Sequence, residues 1–264
     1  MNCDPTHQFM SSWLPPPLDL ELGADEVHVW LADLEAAIAH LPMWQSLLAE
    51  DETARAIRFH FSQHRHLYTC GRGILRVILS RYLNLKPQAI AFSYGSHGKP
   101  FLAVPRDVAN SLQFNLSHSG RLALYIVAQG RDVGVDVEQI NRDRPVAEII
   151  TRFFTRSERA YLLGLPSAQQ QTEFFRCWTC KEAQAKAHGR GIAQGLDQLD
   201  LGSMLASAAR FTYYDRWSIV PLALPDWSDY AAAIAVAGQD WQLKCWKFDW
   251  QDLPKSLRSA DCEK

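Results

Sequence analysis

Asp136 and Glu138 stand two residues apart in Gly134-Val135-Asp136-Val137-Glu138, and Glu182 lies between Lys181 and Lys186 in Trp178-Thr179-Cys180-Lys181-Glu182-Ala183-Gln184-Ala185-Lys186. The first stretch reads as strand. Alternation then puts both carboxylates on one face and Val135 and Val137 on the other. Neighbouring carboxylates repel unless a proton or a cation lies between them, and an oxygen-only pair suits Mg2+ better than Zn2+. Taken alone, the pair also fits the polar face of a half-buried strand. The second stretch reads as helix. On a solvated helix, Glu182 and Lys186 would be a surface pair worth ~0.3–0.5 kcal/mol. Phe175, Trp178 and Ala185 argue instead for a packed helix, where a carboxylate beside lysines can serve as metal ligand or general base. If strand and helix meet, three carboxylates and two ammonium groups form a metal and phosphate site.

Asn115-Leu116-Ser117-His118-Ser119-Gly120 reads as a polar turn between apolar strands. Its hydroxyl, imidazole and backbone N–H groups suit phosphate oxygens; a plain turn is the alternative. Adjacent Ser117 and His118 point apart, and no Gly-x-Ser-x-Gly elbow surrounds them, which argues against a serine hydrolase. Arg65, Arg72 and Arg76 fall along one helix flank, either a solvated face or a basic wall toward an anionic ligand. Cys177 and Cys180 have the letters of a redox or zinc pair, but they sit mid-helix and no second pair completes a zinc site. His60, His64 and His66 lack an evident further ligand and read as surface or groove residues.

Several elements must position these groups. A first strand covers Glu26–Leu31. A helix covers part of Leu34–His40 and ends before Pro42. Asp51-Glu52 opens a short helix through Arg58, and Ser62 caps a longer one through Tyr82 with an apolar face. Ala89–Ser93 and Phe101–Val104 are strands around a turn-rich loop ending Gly98-Lys99-Pro100. Gln113–Leu116, Leu122–Ala128 and Val133–Ile140 suggest an antiparallel meander. Thr155-Arg156-Ser157-Glu158 is a capping box for a helix to Leu163, and Pro166-Ser167 opens another that stops at Gly189. Strands recur at Ala209–Tyr214, Trp217–Pro221, Tyr230–Val236 and Trp241–Phe248. Each half therefore holds a major helix and several antiparallel strands, with a similar order of elements but no residue-level repeat.

The chain has 264 residues, 47% of them hydrophobic, and a formal charge of -2. It can bury a sizeable core, and its near-neutral charge argues against bulk nucleic-acid binding. Cys3, Cys70, Cys177, Cys180, Cys245 and Cys262 are irregularly spaced, which fits a reduced, cytoplasmic protein. No secretory signal opens the chain, and no apolar run approaches the ~20 residues of a spanning helix. The expected organisation is a flexible tail over 1–22, an N-terminal α+β subdomain over 23–132, a C-terminal α+β subdomain over 133–250 and a flexible tail over 251–264.

Taken together, Gly134–Glu138, the Trp178-Thr179-x-Lys181-Glu182-Ala183-x-x-Lys186 helix, the Asn115–Ser119 segment, Gly98-Lys99-Pro100 and Gly189-Arg190-Gly191-Ile192 resemble the 4'-phosphopantetheinyl transferases, in that family's order. The resemblance spans roughly residues 55 to 200. Length and the Asp-x-Glu form are similar to the double-length, monomeric Sfp type. The resemblance implies an α+β fold, a pseudo-twofold pair of subdomains, each an antiparallel sheet packed on a long helix, with the active site between them. It implies transfer of the 4'-phosphopantetheine arm of coenzyme A to a serine of an apo acyl or peptidyl carrier protein, releasing adenosine 3',5'-bisphosphate. By that similarity Asp136, Glu138 and Glu182 hold Mg2+, and Glu182 takes the serine proton. Lys186 neutralises charge on the pyrophosphate, His118 (also a catalytic candidate) and Ser117 contact phosphates, Lys99 and Arg72 lie near the nucleotide end, and Arg55 and Lys181 are further cofactor-binding residues. Arg55 and Arg58 are both softer assignments, because Glu52 stands near a position that is often basic.

Overall fold

The computed structural model describes residues 12–103, 112–141, 143–189, 196–197, 199–201, 212–250 and 253. In chain order the elements are β1 (Trp13–Leu14), β2 (Glu26–Asp33), α1 (Leu34–Ala37), α2 (Leu41–Leu47), α3 (Glu50–Ile57), α4 (Ser62–Leu83), β3 (Phe92–Tyr94), β4 (Pro100–Leu102), β5 (Leu112–Ser119), β6 (Leu122–Gln129) and β7 (Val133–Gln139). There follow α5 (Ala147–Phe153), α6 (Arg156–Gly164), α7 (Ser167–His188), β8 (Thr212–Tyr214), β9 (Trp217–Pro221), β10 (Tyr230–Ala237) and β11 (Gln242–Lys247). One sheet has the order β1-β11-β2-β6-β5, a second has β7-β10-β9-β8, and β3 and β4 form a separate hairpin.

The two larger sheets pack face to face. Val27, Val29 and Leu31 of β2 and Leu124, Ile126 and Ala128 of β6 meet Val135 and Val137 of β7 and Ile234 and Val236 of β10. Each sheet turns its outer face to a long helix. Trp30, Tyr125 and Val127 lie under Ile74, Leu75 and Ile78 of α4. Ala231, Ala233 and Ala235 lie under Cys180, Ala183 and Ala187 of α7, small residues that allow a close approach. The central strands are therefore covered on both faces, which is why β6 and β10 read as nearly unbroken apolar runs. Each fully buried Leu or Ile contributes about 1.5–3 kcal/mol. This helix–sheet–sheet–helix arrangement is the expected α+β pair, with one difference: the first sheet adds parallel pairings of β11 with both β1 and β2.

Several expectations change. The meander stops after two strands: β5 and β6 pair, but β7 leaves for the second sheet and pairs with β10. β5 also runs through Ser119, so Ser117, His118 and Ser119 are strand residues, and the turn is Gly120-Arg121. The continuing ladder holds them extended, Ser117 opposite Leu124 and Ser119 opposite Leu122. Ser62 is the first helical residue of α4 rather than its cap, which is Phe61. Within the stretch expected as a flexible tail, Trp13 and Leu14 form β1, and Trp13 Nε1 donates to Ala223 O at 2.7 Å. β11 lies late in the stretch assigned to the second subdomain, yet belongs to the first sheet. Leu253, in the expected C-terminal tail, is buried in the core beneath α4. Residues 190–195 and 209–211 lie outside the described residues.

The halves also share a residue-level correspondence. Glu52 in α3 accepts from Ala49 N at the start of its helix and pairs with Arg76 at 2.6 Å. Glu158 in α6 accepts from Thr155 N and pairs with Lys181 at 2.9 Å. Both glutamates are fully buried, and both cations sit fourteen residues beyond the first residue of the long helix that follows.

Candidate active site

α7 begins after Pro166, whose fixed φ suits a helix start, and ends at Gly189, whose φ of 70° is the left-handed conformation a glycine adopts without strain. Its last turns lie against β7. A Cβ on Gly134 would come within 2.1 Å of Ala183 O and 2.4 Å of Ala187 N. Only a glycine lets strand and helix come this close. Asp136 and Glu138 share the face of Gly134, so the same contact carries them to Glu182 and Lys186. The expected meeting of strand and helix therefore occurs.

Asp136 is 2% exposed. Its Oδ1 accepts from Lys186 Nζ at 2.6 Å and from Ser117 Oγ at 2.8 Å. Its Oδ2 is buried and has no hydrogen-bond partner among the described residues. Glu138 Oε2 accepts from Ser119 Oγ at 2.8 Å. Glu182, 3% exposed, makes no hydrogen bond through its carboxylate among the described residues. Burial raises all three carboxyls. Glu182 reaches about 7, with Asp136 and Glu138 adding to the rise and Lys186 opposing it. Asp136 is raised by burial against the pull of Lys186 and Ser117, and Glu138 by burial and then by Asp136. Three mutually repelling carboxyls with an orphaned oxygen suit a hard cation. Among the described residues no three Asp, Glu, His or Cys side chains are grouped so that they could hold a metal ion as they stand; Lys186 is the positive charge that balances Asp136.

β5 and β7 are edge strands of different sheets and have no backbone pairing with each other. Side chains of β5 join them instead. Asn115 Oδ1 accepts from Val135 N at 3.1 Å, and Ser119 Oγ accepts from Gln139 N at 3.1 Å. Asn115, Ser117 and Ser119, two residues apart, all turn to β7. The signal was present in this spacing but is visible only once the segment is read as strand.

A cleft of about 660 Å³ opens beside this seam, walled by Ser117, His118 and Lys186 together with Arg55, Arg72 and Tyr94. His118 points opposite to Ser117 along the strand. It is reached by solvent, yet the surrounding protein and, second, the Lys186 ammonium push its imidazole below its ordinary range. Arg55 is exposed with its guanidinium 5.7 Å from the Tyr68 ring. Arg72 reaches the cleft, but its Nε donates to Glu52 Oε1 at 2.5 Å and its Nη2 to Tyr94 OH at 3.1 Å. Arg76 is buried on Glu52 and on the carbonyls of Pro87 and Ile90. The arginine flank is thus largely an internal ion-pair network, neither a solvated face nor an open basic wall. Glu52, out of place in a basic pattern, is the anion that network is built on.

Two other assignments change. Lys181 is buried on the far side of α7 from the carboxylates. Its Nζ donates to Leu196 O and Leu199 O and pairs with Glu158, so its charge is spent inside the protein and not on a ligand. Successive helix residues lie about 100° apart, which separates Lys181 from Glu182 despite their adjacency. Lys99 lines the cleft, but its Nζ donates to Lys186 O at 2.8 Å and to Val133 O and Ala187 O at 3.3 Å, placing a cation at the negative end of α7. Cys177 and Cys180 are free and buried, their thiols pushed up by burial, Cys180 to about 12. His60 and His64 pack edge-on against Phe61.

Comparison with known proteins places the chain in a family. Residues 132–235 match the 4'-phosphopantetheinyl transferase superfamily, and residues 35–130 match the 4'-phosphopantetheinyl transferase N-terminal family. The chain is 42% identical to the 4'-phosphopantetheinyl transferase HetI of Nostoc sp., over 90% of its own length and 98% of that protein's. It is 34% identical to a putative 4'-phosphopantetheinyl transferase of Synechocystis sp., over 65% and 68%. It is 28% identical to the 4'-phosphopantetheinyl transferase Sfp of Bacillus subtilis, over 60% and 67%. The chain belongs to the 4'-phosphopantetheinyl transferase family.

Proposed function

We propose that this transferase moves the 4'-phosphopantetheine group of coenzyme A onto a serine hydroxyl of an apo acyl or peptidyl carrier protein, with Mg2+ bound, and releases adenosine 3',5'-bisphosphate. The observation that carries this reading is the gathering of Asp136, Glu138, Glu182 and Lys186 at one seam beside a nucleotide-sized cleft. The orphaned Asp136 Oδ2 and the oxygen-only donor set support Mg2+ held by Asp136, Glu138 and Glu182. When bound, Mg2+ neutralises charge on the pyrophosphate oxygens.

The residues divide the remaining work. The serine oxygen bonds to the β-phosphorus, and the bond from that phosphorus to the bridging oxygen breaks, leaving with adenosine 3',5'-bisphosphate. Glu182, whose carboxyl burial pushes up to about 7 in the metal-free protein, takes the serine proton. A base poised near the working pH contributes ~10²–10⁴-fold. Lys186 faces the oxygens on which negative charge grows, where a fixed ammonium acts without reorganisation. His118 contacts phosphate from the cleft wall, with Arg55 the exposed cation beside it, while Ser117, expected to contact phosphate as well, gives its one hydroxyl proton to Asp136. Arg72 contributes a guanidinium edge held by Glu52. The site joins two halves of one chain, which supports action as a monomer. The irregular spacing of the cysteines fits a reducing cytoplasm. Among the described residues no helix is long and apolar enough to cross a membrane.

The test is a mass measurement. The protein is incubated with coenzyme A, Mg2+ and apo carriers from fatty-acid, polyketide and peptide synthesis. A carrier that gains one phosphopantetheinyl group supports the proposal; no gain on any of them overturns it.

A further inference from the structure

We propose that Ser119 is a positioning residue: it ties one oxygen of Glu138 so that the other faces the cation site, as Ser117 does for Asp136. The inference rests on the metal reading above.

The argument is one of hydrogen-bond accounting. A serine hydroxyl has a single proton to give. Ser117 Oγ receives a hydrogen bond from Lys186 Nζ at 2.7 Å, and an ammonium can only donate. The Ser117 proton is therefore free for Asp136 Oδ1 at 2.8 Å. Ser119 Oγ receives the Gln139 N–H at 3.1 Å, and its own proton goes to Glu138 Oε2 at 2.8 Å. Both hydroxyls are thus oriented by a second donor, and each fixes one carboxylate oxygen. Asp136 Oδ2 is left without a partner among the described residues, and Glu138 Oε1 makes no hydrogen bond there. Each carboxylate can offer a cation one oxygen. One oxygen from each side chain fits a small octahedral ion better than a large ion that takes carboxylates by both oxygens.

The arrangement crosses the seam. The carboxylates belong to the second sheet and the hydroxyls to the first, and no backbone ladder sets β5 against β7. Asn115 holding Val135 N is the third rung of the same side-chain ladder. Partners that orient metal ligands are worth about 10–100-fold in metal affinity when removed.

The experiment measures Mn2+ binding by electron paramagnetic resonance on the whole protein with coenzyme A and no carrier, so that no turnover occurs. Ser119→Ala should weaken Mn2+ about tenfold, with the melting temperature nearly unchanged, and Ser119→Thr should restore it. Asp136→Ala is the control that loses the site. If Ser119→Ala binds Mn2+ like the wild type while Asp136→Ala does not, the positioning role is wrong and the metal reading stands. If Thr fails to restore binding, packing and not the hydroxyl is responsible, and the proposal falls. If wild type and Asp136→Ala bind Mn2+ alike, the metal reading itself fails and takes this inference with it. Should the alanine variant unfold, Ser119→Cys, nearly isosteric with a weak donor, must show the same loss.

Discussion

Lys186 Nζ lies 2.6 Å from one oxygen of Asp136, while the other oxygen of that carboxylate is buried without a partner among the described residues. The ammonium therefore balances the charge of Asp136 but leaves half its hydrogen-bonding capacity unmet. Lys186→Met removes that balance. Loss of one partner of a well-buried pair costs about 3–5 kcal/mol, and the quarter exposure of Lys186 lowers the expectation to about 1–3 kcal/mol. Mn2+ should then raise the melting temperature of the variant more than that of the wild type, because metal replaces the missing positive charge. Calorimetry with and without Mn2+ reads both effects; equal shifts would show that Lys186 and the metal do not share Asp136.

The raised carboxyl of Glu182 makes stability depend on pH with a definite sign. Its folded value is about 7 against an ordinary 4.5, so the folded state holds the proton more tightly than the unfolded chain. The metal-free protein should lose stability as pH rises from 4.5 to 7, by on the order of 3 kcal/mol in total. Glu182→Gln should flatten that part of the profile and abolish turnover. Urea unfolding at pH 5 and pH 8 in a chelator is the check. A wild type that gains stability over this interval would contradict the assignment.

Gly134→Ala places a methyl 2.1 Å from Ala183 O, a distance no Cβ tolerates, and the obstacle is helix backbone rather than a movable side chain. Strand or helix must shift. Overpacking typically costs 1–3 kcal/mol, and a backbone obstacle puts this substitution at about 3 kcal/mol or more. Transfer activity should fall at least a hundredfold even in the folded fraction, since a 1 Å misplacement can cost that much. Kinetics and unfolding on the same preparation separate the two losses.

Lys181 should behave as a structural residue. Lys181→Met leaves Glu158 buried without its cation and should cost about 3–5 kcal/mol, while the KM for coenzyme A stays near the wild-type value. Adding Glu158→Gln should recover part of the loss, because the uncompensated charge is then gone. A large rise in KM with unchanged stability would return Lys181 to the cofactor site.

Much of α7 is legible in the sequence, because Pro166 and Gly189 bracket it with strong local signals. The strand carrying Asp136 and Glu138 is legible from its alternation. Other features depend on contacts that local patterns do not encode. Ser117 and Ser119 look like a turn beside Gly120 until the pairing of β5 with β6 extends them. Trp13 looks like part of a proline-rich tail until β11 supplies a partner. Lys181 and Lys186 look equivalent in sequence, and only the packing of α6 against α7 sends one inward to Glu158. The opposition of β5 and β7 is the least legible feature, since it rests on side-chain hydrogen bonds between separate sheets.

The placing of β11 has a consequence for how the chain is made. Gln242–Lys247 is synthesised late, yet lies beside β2, between it and β1, at the interior of the first sheet. While the ribosome is still extending the chain toward residue 242, β2 has an open edge and Trp13 has no neighbouring strand. The first half therefore reaches its final form only when the late residues arrive. A nascent chain stalled before β11 should expose a bare sheet edge to proteases and chaperones.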